Sequence, residues 1–242
     1  MKDLDILVIA AHPDDAELGA GGTIAKSIAQ GKTVGILDLT RGELGTRGTA
    51  ELRAQEAAAA AKILGVEFRV NASLPDGFLD NTKDQQMVII PFIRKYRPRL
   101  ILTNTVHDRH PDHAKASKLV SDSCFLSGLR AVPTFTAEGK TQQAWRPKAV
   151  YHFVQDFYIK PDFVVDITDT FEKKMEAIRA FSSQFYDGKA QAPEEVTPIS
   201  TPQFVHFVEA RAREYGRSIG VEFGEGFTAD RAVGVEDLFD LK

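Results

Sequence analysis

Three stretches of the chain are apolar almost without a break: "LDILVIAA" (4–11), "TVGILDLT" (33–40) and "RLILTNT" (99–105). A strand with one face in water alternates apolar and polar residues. An unbroken run needs apolar contact on both faces, as in a parallel sheet covered by helices on each side. The segments between the runs read as helices. "AELGAGGTIAKSIAQG" (16–31) has a glycine-rich opening that permits close packing, and Gly31 stops it. "TAELRAQEAAAAAKILG" (49–65) has Thr49 as N-cap and Gly65 as terminator. "VEFRV" (66–70) reads as a short strand, and "DQQMVIIPFIRKY" (84–96) as a helix interrupted or bent at Pro91. "PDHAKASKLVSDSCFLS" (111–127) is a helix with Pro111 in its first turn, where proline is favoured.

This alternation predicts an α/β fold: a Rossmann-like, open, mostly parallel sheet with helices on both faces. The later part of the chain departs from it and predicts a smaller C-terminal α/β extension. "AVYHFV" (149–154) and "DFVVDI" (162–167) read as strands, and "TFEKKMEAIRAF" (170–181) and "PQFVHFVEARAREYGRSIG" (202–220) as helices. Between those helices "YDGKAQAPEEVTPISTP" (186–202) is a long polar loop. No linker or charge block divides the chain. The expectation is therefore one domain over 1–242, with the Rossmann-like part at about 1–130 and the extension at about 145–242.

Composition narrows the function. Hydrophobic residues make up 43% and charged residues 26%, enough apolar mass for a full core. The formal charge is −4 and no basic stripe is present, which argues against nucleic-acid binding. The N-terminal apolar run is shorter than a signal core and far below the ~20 residues of a spanning helix, so a cytoplasmic protein without membrane attachment is expected. The lone cysteine, Cys124, rules out an internal disulfide and fits a reducing compartment. It reads as a small buried apolar residue.

Ligand sites of open parallel sheets form beyond the carboxyl ends of the strands. "HPDD" (12–15) follows the first run, "TRGELGTRGT" (40–49) the second, and "HDRHPDH" (107–113) the run at 99–105. Either short motif alone would serve as a turn with a helix cap. Together, after two buried strands, they are chemistry-bearing. A hydrolytic metal centre takes two or three histidines and a carboxylate and leaves one position open. His12, Asp15 and His113 could form that set. Asp14 would then face elsewhere and accept a proton from the attacking water. His110, three residues before His113, could hydrogen-bond a tetrahedral oxyanion or protonate a leaving amine, with Asp112 orienting it. His107 reads as a loop residue, and His152 and His206 as structural. "GAGG" (19–22) lacks the spacing of a dinucleotide fingerprint, so a nucleotide cofactor is not expected.

With these residues in place, "AHPDDAELGAGGT" and "RHPDH" resemble the paired motifs of the PIG-L/LmbE-like zinc-dependent N-deacetylases of amino sugars. "DLTRGELGTRGT" and "EYGRSIGVEFGEGFTADRAVGV" are similar to the bacillithiol-biosynthesis branch, so the resemblance spans nearly the whole chain. It implies a hydrolase that removes the N-acetyl group of N-acetyl-α-D-glucosaminyl L-malate. It also implies His12, Asp15 and His113 as zinc ligands, Asp14 as base, and His110 as oxyanion stabiliser with Asp112 behind it. Relatives acting on mycothiol precursors carry a tyrosine two residues before that histidine, where this chain has Asp108. A tyrosine-assisted step would have to come from elsewhere, with Tyr158 and Tyr186 as candidates. The substrate's carboxylates suit forked guanidinium groups, for which Arg53, Arg109 and Arg47 are candidates, Arg53 foremost. The same ligand set could accept Fe2+ or Mn2+. The resemblance also implies a homo-oligomer, a trimer or hexamer. The alternatives are deacetylation of another amino sugar, such as a chitooligosaccharide or an antibiotic precursor, a metal-dependent phosphoesterase, and a sugar-binding protein without catalysis.

Overall fold

Every residue of the first strand, β1 (Ile6–Ala10), is buried, and the strand feeds two cores. Ile6, Val8 and Ala10 join one apolar cluster and Leu7 and Ile9 another, because successive side chains of a strand point to opposite faces. The computed structural model describes residues 3–186 and 195–240. Of the polar loop expected over 186–202, residues 187–194 lie outside the described residues.

The remaining elements follow in chain order: α1 (Asp15–Ala29), β2 (Val34–Asp38), α2 (Ala50–Leu64), β3 (Phe68–Asn71), α3 (Lys83–Tyr96), β4 (Leu100–Asn104) and α4 (Pro111–Ser127). After these come β5 (Ala149–Phe153), β6 (Phe163–Asp166), α5 (Phe171–Arg179), α6 (Pro202–Ser218) and β7 (Gly224–Ala229). One seven-stranded sheet runs in the order β3-β2-β1-β4-β5-β7-β6. The pairs from β3 through β5 are parallel, and β7 is antiparallel to both β5 and β6. Helices α1, α2, α5 and α6 supply the core on one face, and α3 and α4 the core on the other. The mostly parallel α/β sheet with helices on both faces is therefore the observed architecture. The C-terminal strands extend that same sheet. No helix among the described residues is long and apolar enough to cross a membrane.

The local signals behave as their chemistry requires. The Thr49 side chain accepts a hydrogen bond from the Leu52 N–H, and Gly65 closes α2 in the left-handed conformation. Helix α3 differs from expectation, because it runs through Pro91 unbroken. Ile89, Ile90 and Ile93 are fully buried there, and that burial offsets the roughly 3 kcal/mol a mid-helix proline costs. Cys124 is buried, and desolvation pushes its thiol well above the usual range, with Asp230 adding to the shift. Strand β7, "GEGFTA", carries two glycines and no alternating pattern, and nothing in its composition announces a strand.

Strand β7 places a charge inside the molecule. The Lys174 Nζ lies 2.6 Å from the Glu225 Oε1, with both side chains at most 4% exposed. The same carboxylate accepts the backbone N–H groups of Gly22 and Thr23, while Lys174 also donates to the Leu18 carbonyl. The glycines of α1 let its neighbours pack close: a Cβ at Gly21 would sit 3.2 Å from the Lys174 Cγ. A Cβ at Gly19 would sit 2.0 Å from the Phe153 ring, and one at Gly22 2.7 Å from Ile167. Glu225→Ala leaves a buried ammonium and two amides without their acceptor. We expect it to lower unfolding free energy by about 3–5 kcal/mol in urea titrations. A loss below about 1 kcal/mol, the ceiling of a typical solvent-exposed pair, would show that water enters this pair freely.

Candidate active site

In a sheet ordered 3-2-1-4-5, the chain reverses its winding between β1 and β4, and a crevice opens above that point. "HPDD" leaves β1 there and "HDRHPDH" leaves β4, so the two motifs meet. The rings of His12 and His110 lie 4.5 Å apart, those of His110 and His113 5.1 Å, and those of His12 and His113 5.5 Å. One nitrogen from each of the three falls within 4.8 Å of the others. Asp15 bridges two of them: Oδ2 is 3.3 Å from the His12 Nδ1 and Oδ1 is 3.3 Å from the His113 Nε2. His12, Asp15 and His113 are all buried.

Several neighbours that hold this cluster are not assigned to it from the sequence. Asn104, the last residue of β4, accepts the Ala11 N–H at 2.7 Å and donates to the Asp15 Oδ2 at 3.0 Å. Gln155, beyond β5, donates to the Asp15 Oδ1 at 2.6 Å. Asp76, in the loop after β3, lies 3.0 Å from the His12 Nε2. Asp108 lies 3.0 Å from the His113 Nδ1 and also accepts the backbone N–H groups of Asp156 and Phe157. Asp108 is thus a carboxylate placed to orient an imidazole.

The second motif is wired differently from expectation. The Asp112 carboxylate does not bond the His110 ring. It accepts the N–H groups of Gly77 and Leu79 at 2.7 and 3.2 Å and lies 3.3 Å from the His12 Nε2. Its backbone N–H instead donates to the His110 Nδ1 at 3.2 Å, so His110 caps α4. The reason is local: a residue two positions into a helix points its N–H, not its side chain, back at the cap. In a neutral ring this bond places the proton on Nε2 as a donor.

Asp14 occupies the N-cap position of α1, yet its side chain makes no capping bond. Its backbone is held at φ 121°, ψ −25°, a region rarely adopted by residues with a Cβ. The Oδ2 accepts from the Arg53 Nη2 at 2.9 Å. Arg53 is buried, and its guanidinium also reaches the Pro13 and Gly42 carbonyls.

The electrostatics follow from burial and this crowd of carboxylates. Burial pushes the Asp14 carboxyl up to about 7 against the opposing pull of Arg53. Burial also favours the neutral form of His113, but Asp15 and Asp108 outweigh it and hold the ring at about 9. His12 is likewise held above its usual value, by Asp112, Asp15 and Asp76 against desolvation. Asp15 stays well below the carboxylate range because His113 and His12 outweigh its burial. His110, desolvated and beside two other imidazoles, falls to about 4.

Five carboxylates thus surround three imidazoles, with Arg53 as the buried guanidinium among them. Such a donor set fits a divalent cation of borderline softness, which takes imidazole nitrogen and carboxylate oxygen together. A second grouping, His12 with Asp76 and Asp112, shares the other side of the His12 ring.

The cluster opens on a cavity of about 320 Å³, at the small end of ligand pockets. Arg47, Arg53 and Arg109 line it, together with Arg211 from α6, whose sequence context gave no hint of the site. Arg109 is exposed and pairs with Asp156 at 3.3 Å, while Arg47 leans on the Gln184 carbonyl. Phe204, Phe207 and Val208 of α6 add apolar lining, with the Arg211 guanidinium 4.8 Å over the Phe207 ring. The tyrosine of the lining is Tyr215, bonded to the Ile159 carbonyl, and not Tyr158 or Tyr186. His107 and His206 are exposed in loop and helix. His152 is buried among Ser117, the Asn104 carbonyl and Asp230.

The family model described as "PIG-L: GlcNAc-PI de-N-acetylase" matches residues 7–124, which span both motifs. Diacetylchitobiose deacetylase of Thermococcus kodakarensis is 31% identical over 91% of this chain and 81% of its own. Among solved structures, the conserved protein TT1542 of Thermus thermophilus superposes with a TM-score of 0.84 at 35% identity, covering 97% of this chain and 98% of that one. N,N'-diacetylchitobiose deacetylase of Pyrococcus horikoshii superposes at 0.78 with 28% identity, over 94% and 84% of the two chains. Two motifs meeting over one crevice, on a sheet shared from end to end with such relatives, make this chain a member of the PIG-L family of de-N-acetylases.

Proposed function

We propose that the chain hydrolyses the N-acetyl group of a glucosaminyl compound, giving a free amine and acetate. The observation that carries this reading is the asymmetry of the adjacent carboxylates. Asp15 bridges two imidazoles, while Asp14 faces the same cavity tied to Arg53. His12, Asp15 and His113 would hold a divalent cation, Zn2+ by ligand type, with Fe2+ or Mn2+ admissible. When bound, that cation supplies Lewis acidity toward the amide carbonyl and acidifies the attacking water.

The chain's own residues do the rest. Arg53 occupies the Asp14 Oδ2, leaving Oδ1 to take the proton of the attacking water. The His110 Nε2–H donates to the oxygen that gains charge as the carbonyl carbon becomes tetrahedral. The proton held on Asp14 then passes to the departing nitrogen. Asp112 acts on both sides of this centre, through its N–H to His110 and its carboxylate to His12.

For the substrate, the arginines at the mouth favour N-acetyl-α-D-glucosaminyl L-malate, whose two carboxylates would meet Arg47 and Arg109. The 31% identity to a diacetylchitobiose deacetylase favours a chitooligosaccharide equally. Acetate release from the malate glycoside, N-acetylglucosamine and diacetylchitobiose, with bound metal measured on the same sample, separates these. No release from any of the three would sink the deacetylase reading.

Asp108→Asn tests the support of the site. Losing the carboxylate behind the His113 Nδ1 is expected to weaken cation affinity by roughly 10–100-fold, read by competition with a chelator. Unchanged affinity would mean that Asp108 only ties down the 156–157 backbone.

A further inference from the structure

Three facts converge on Arg53. Asp14 sits at φ 121°, where a side chain is strained, and is buried. A strained backbone persists only where its surroundings over-determine it. Arg53 supplies that constraint with one nitrogen: Nη2 bonds both the Asp14 Oδ2 and the Pro13 carbonyl, gripping the peptide on one side of Asp14 and its carboxylate on the other. Nη1 reaches the Gly42 carbonyl, which ties the guanidinium to the loop after β2. Gly42 leaves the room for this. A Cβ there would stand 1.9 Å from Nη1.

We propose that Arg53 is a positioning residue: its guanidinium clamps the Pro13–Asp14 segment in the strained conformation that aims the Asp14 carboxylate into the cavity. The inference deepens the deacetylase reading and rests on it for its kinetic consequences, but not for the conformation itself. It also changes the expected job of this arginine. A guanidinium with both terminal nitrogens committed to the protein does not offer the two-pronged fork that a substrate carboxylate would take.

The test compares Arg53→Ala, Arg53→Lys and Gly42→Ala with the wild type. In Arg53→Ala, kcat is expected to fall on the order of 100-fold with KM unchanged, the consequence of a catalytic group displaced by about an ångström. Millimolar guanidinium ion should restore part of kcat in Arg53→Ala by refilling the clamp, and Arg53→Lys should retain an intermediate rate. Gly42→Ala keeps the charge but sets a methyl against the guanidinium, on a residue itself at φ 65°, and should show the same kcat loss, with its crystal structure showing the guanidinium displaced; it covers the case in which Arg53→Ala does not fold. A crystal structure of either low-activity variant should show Asp14 relaxed out of positive φ. A raised KM with unchanged kcat, or Asp14 still at positive φ in the variant, would overturn the clamp. If the wild type releases no acetate from any compound tested, the deacetylase reading fails and the Asp14 φ of the variants alone decides the proposal.

Discussion

Asp14→Asn is expected to lower kcat by roughly 10²–10⁴-fold, the range for loss of a general base, while bound metal per chain stays at the wild-type level. Asparagine is the informative replacement for two physical reasons. It tolerates positive φ better than most residues, so the strained turn at φ 121° survives. It also keeps an oxygen for the Arg53 Nη2, so no buried guanidinium is left unpaired. Alanine would remove that partner at a cost of about 3–5 kcal/mol and confuse lost chemistry with lost fold. The amide cannot take up the proton of water, and that capacity is what the substitution removes. Steady-state acetate release and metal analysis on one preparation check both halves. Wild-type turnover in Asp14→Asn would refute the assignment of the base.

Asp15→Ala should fail in the opposite order, losing the cation first and turnover as a consequence. Its carboxylate is the acceptor shared by the Asn104 Nδ2 and the Gln155 Nε2, and it faces the imidazoles of His12 and His113. Cation affinity is expected to drop by more than about 100-fold, the upper end of the effect of removing an outer-shell partner, because here a ligand itself is lost. Competition against a chelator measures that affinity, and excess Zn2+ should restore part of the rate. Thermodynamic stability should fall as well, by about 3–5 kcal/mol, since several buried polar groups lose one acceptor together. Full metal occupancy after exhaustive dialysis would show that the three imidazoles alone suffice to hold the ion.

Much of the fold is legible in the chain because its signals are local. The unbroken run 4–11 contains β1, and the alanine-rich segment from Thr49 to Gly65 is α2 with both caps where the side-chain chemistry places them. Pro111 marks the start of α4, which spans residues 111–127 as its composition requires. Pro91 misleads because its local cost is outweighed by three buried isoleucines, which is a tertiary effect. Strand β7 is silent because its pairing with β5 and β6, not its own propensity, makes it a strand.

The site divides along the same line. "HPDD" and "HPDH" are readable because each sits at the end of a buried strand, and parallel strands bring their carboxyl ends to one edge. That logic brings His12, Asp15, His110 and His113 together, and it is a property of the sequence alone. Which atom faces which is not. Asp112 turns its carboxylate to His12 and its N–H to His110, and Arg53 grips Asp14. Asn104, Gln155, Asp76 and Asp108 brace the cluster from the ends of β3, β4 and β5. Hydrogen-bond direction depends on side-chain rotamers and on loops distant in the chain. Only the packed tertiary structure decides those, because single polar residues in loops leave no periodic trace.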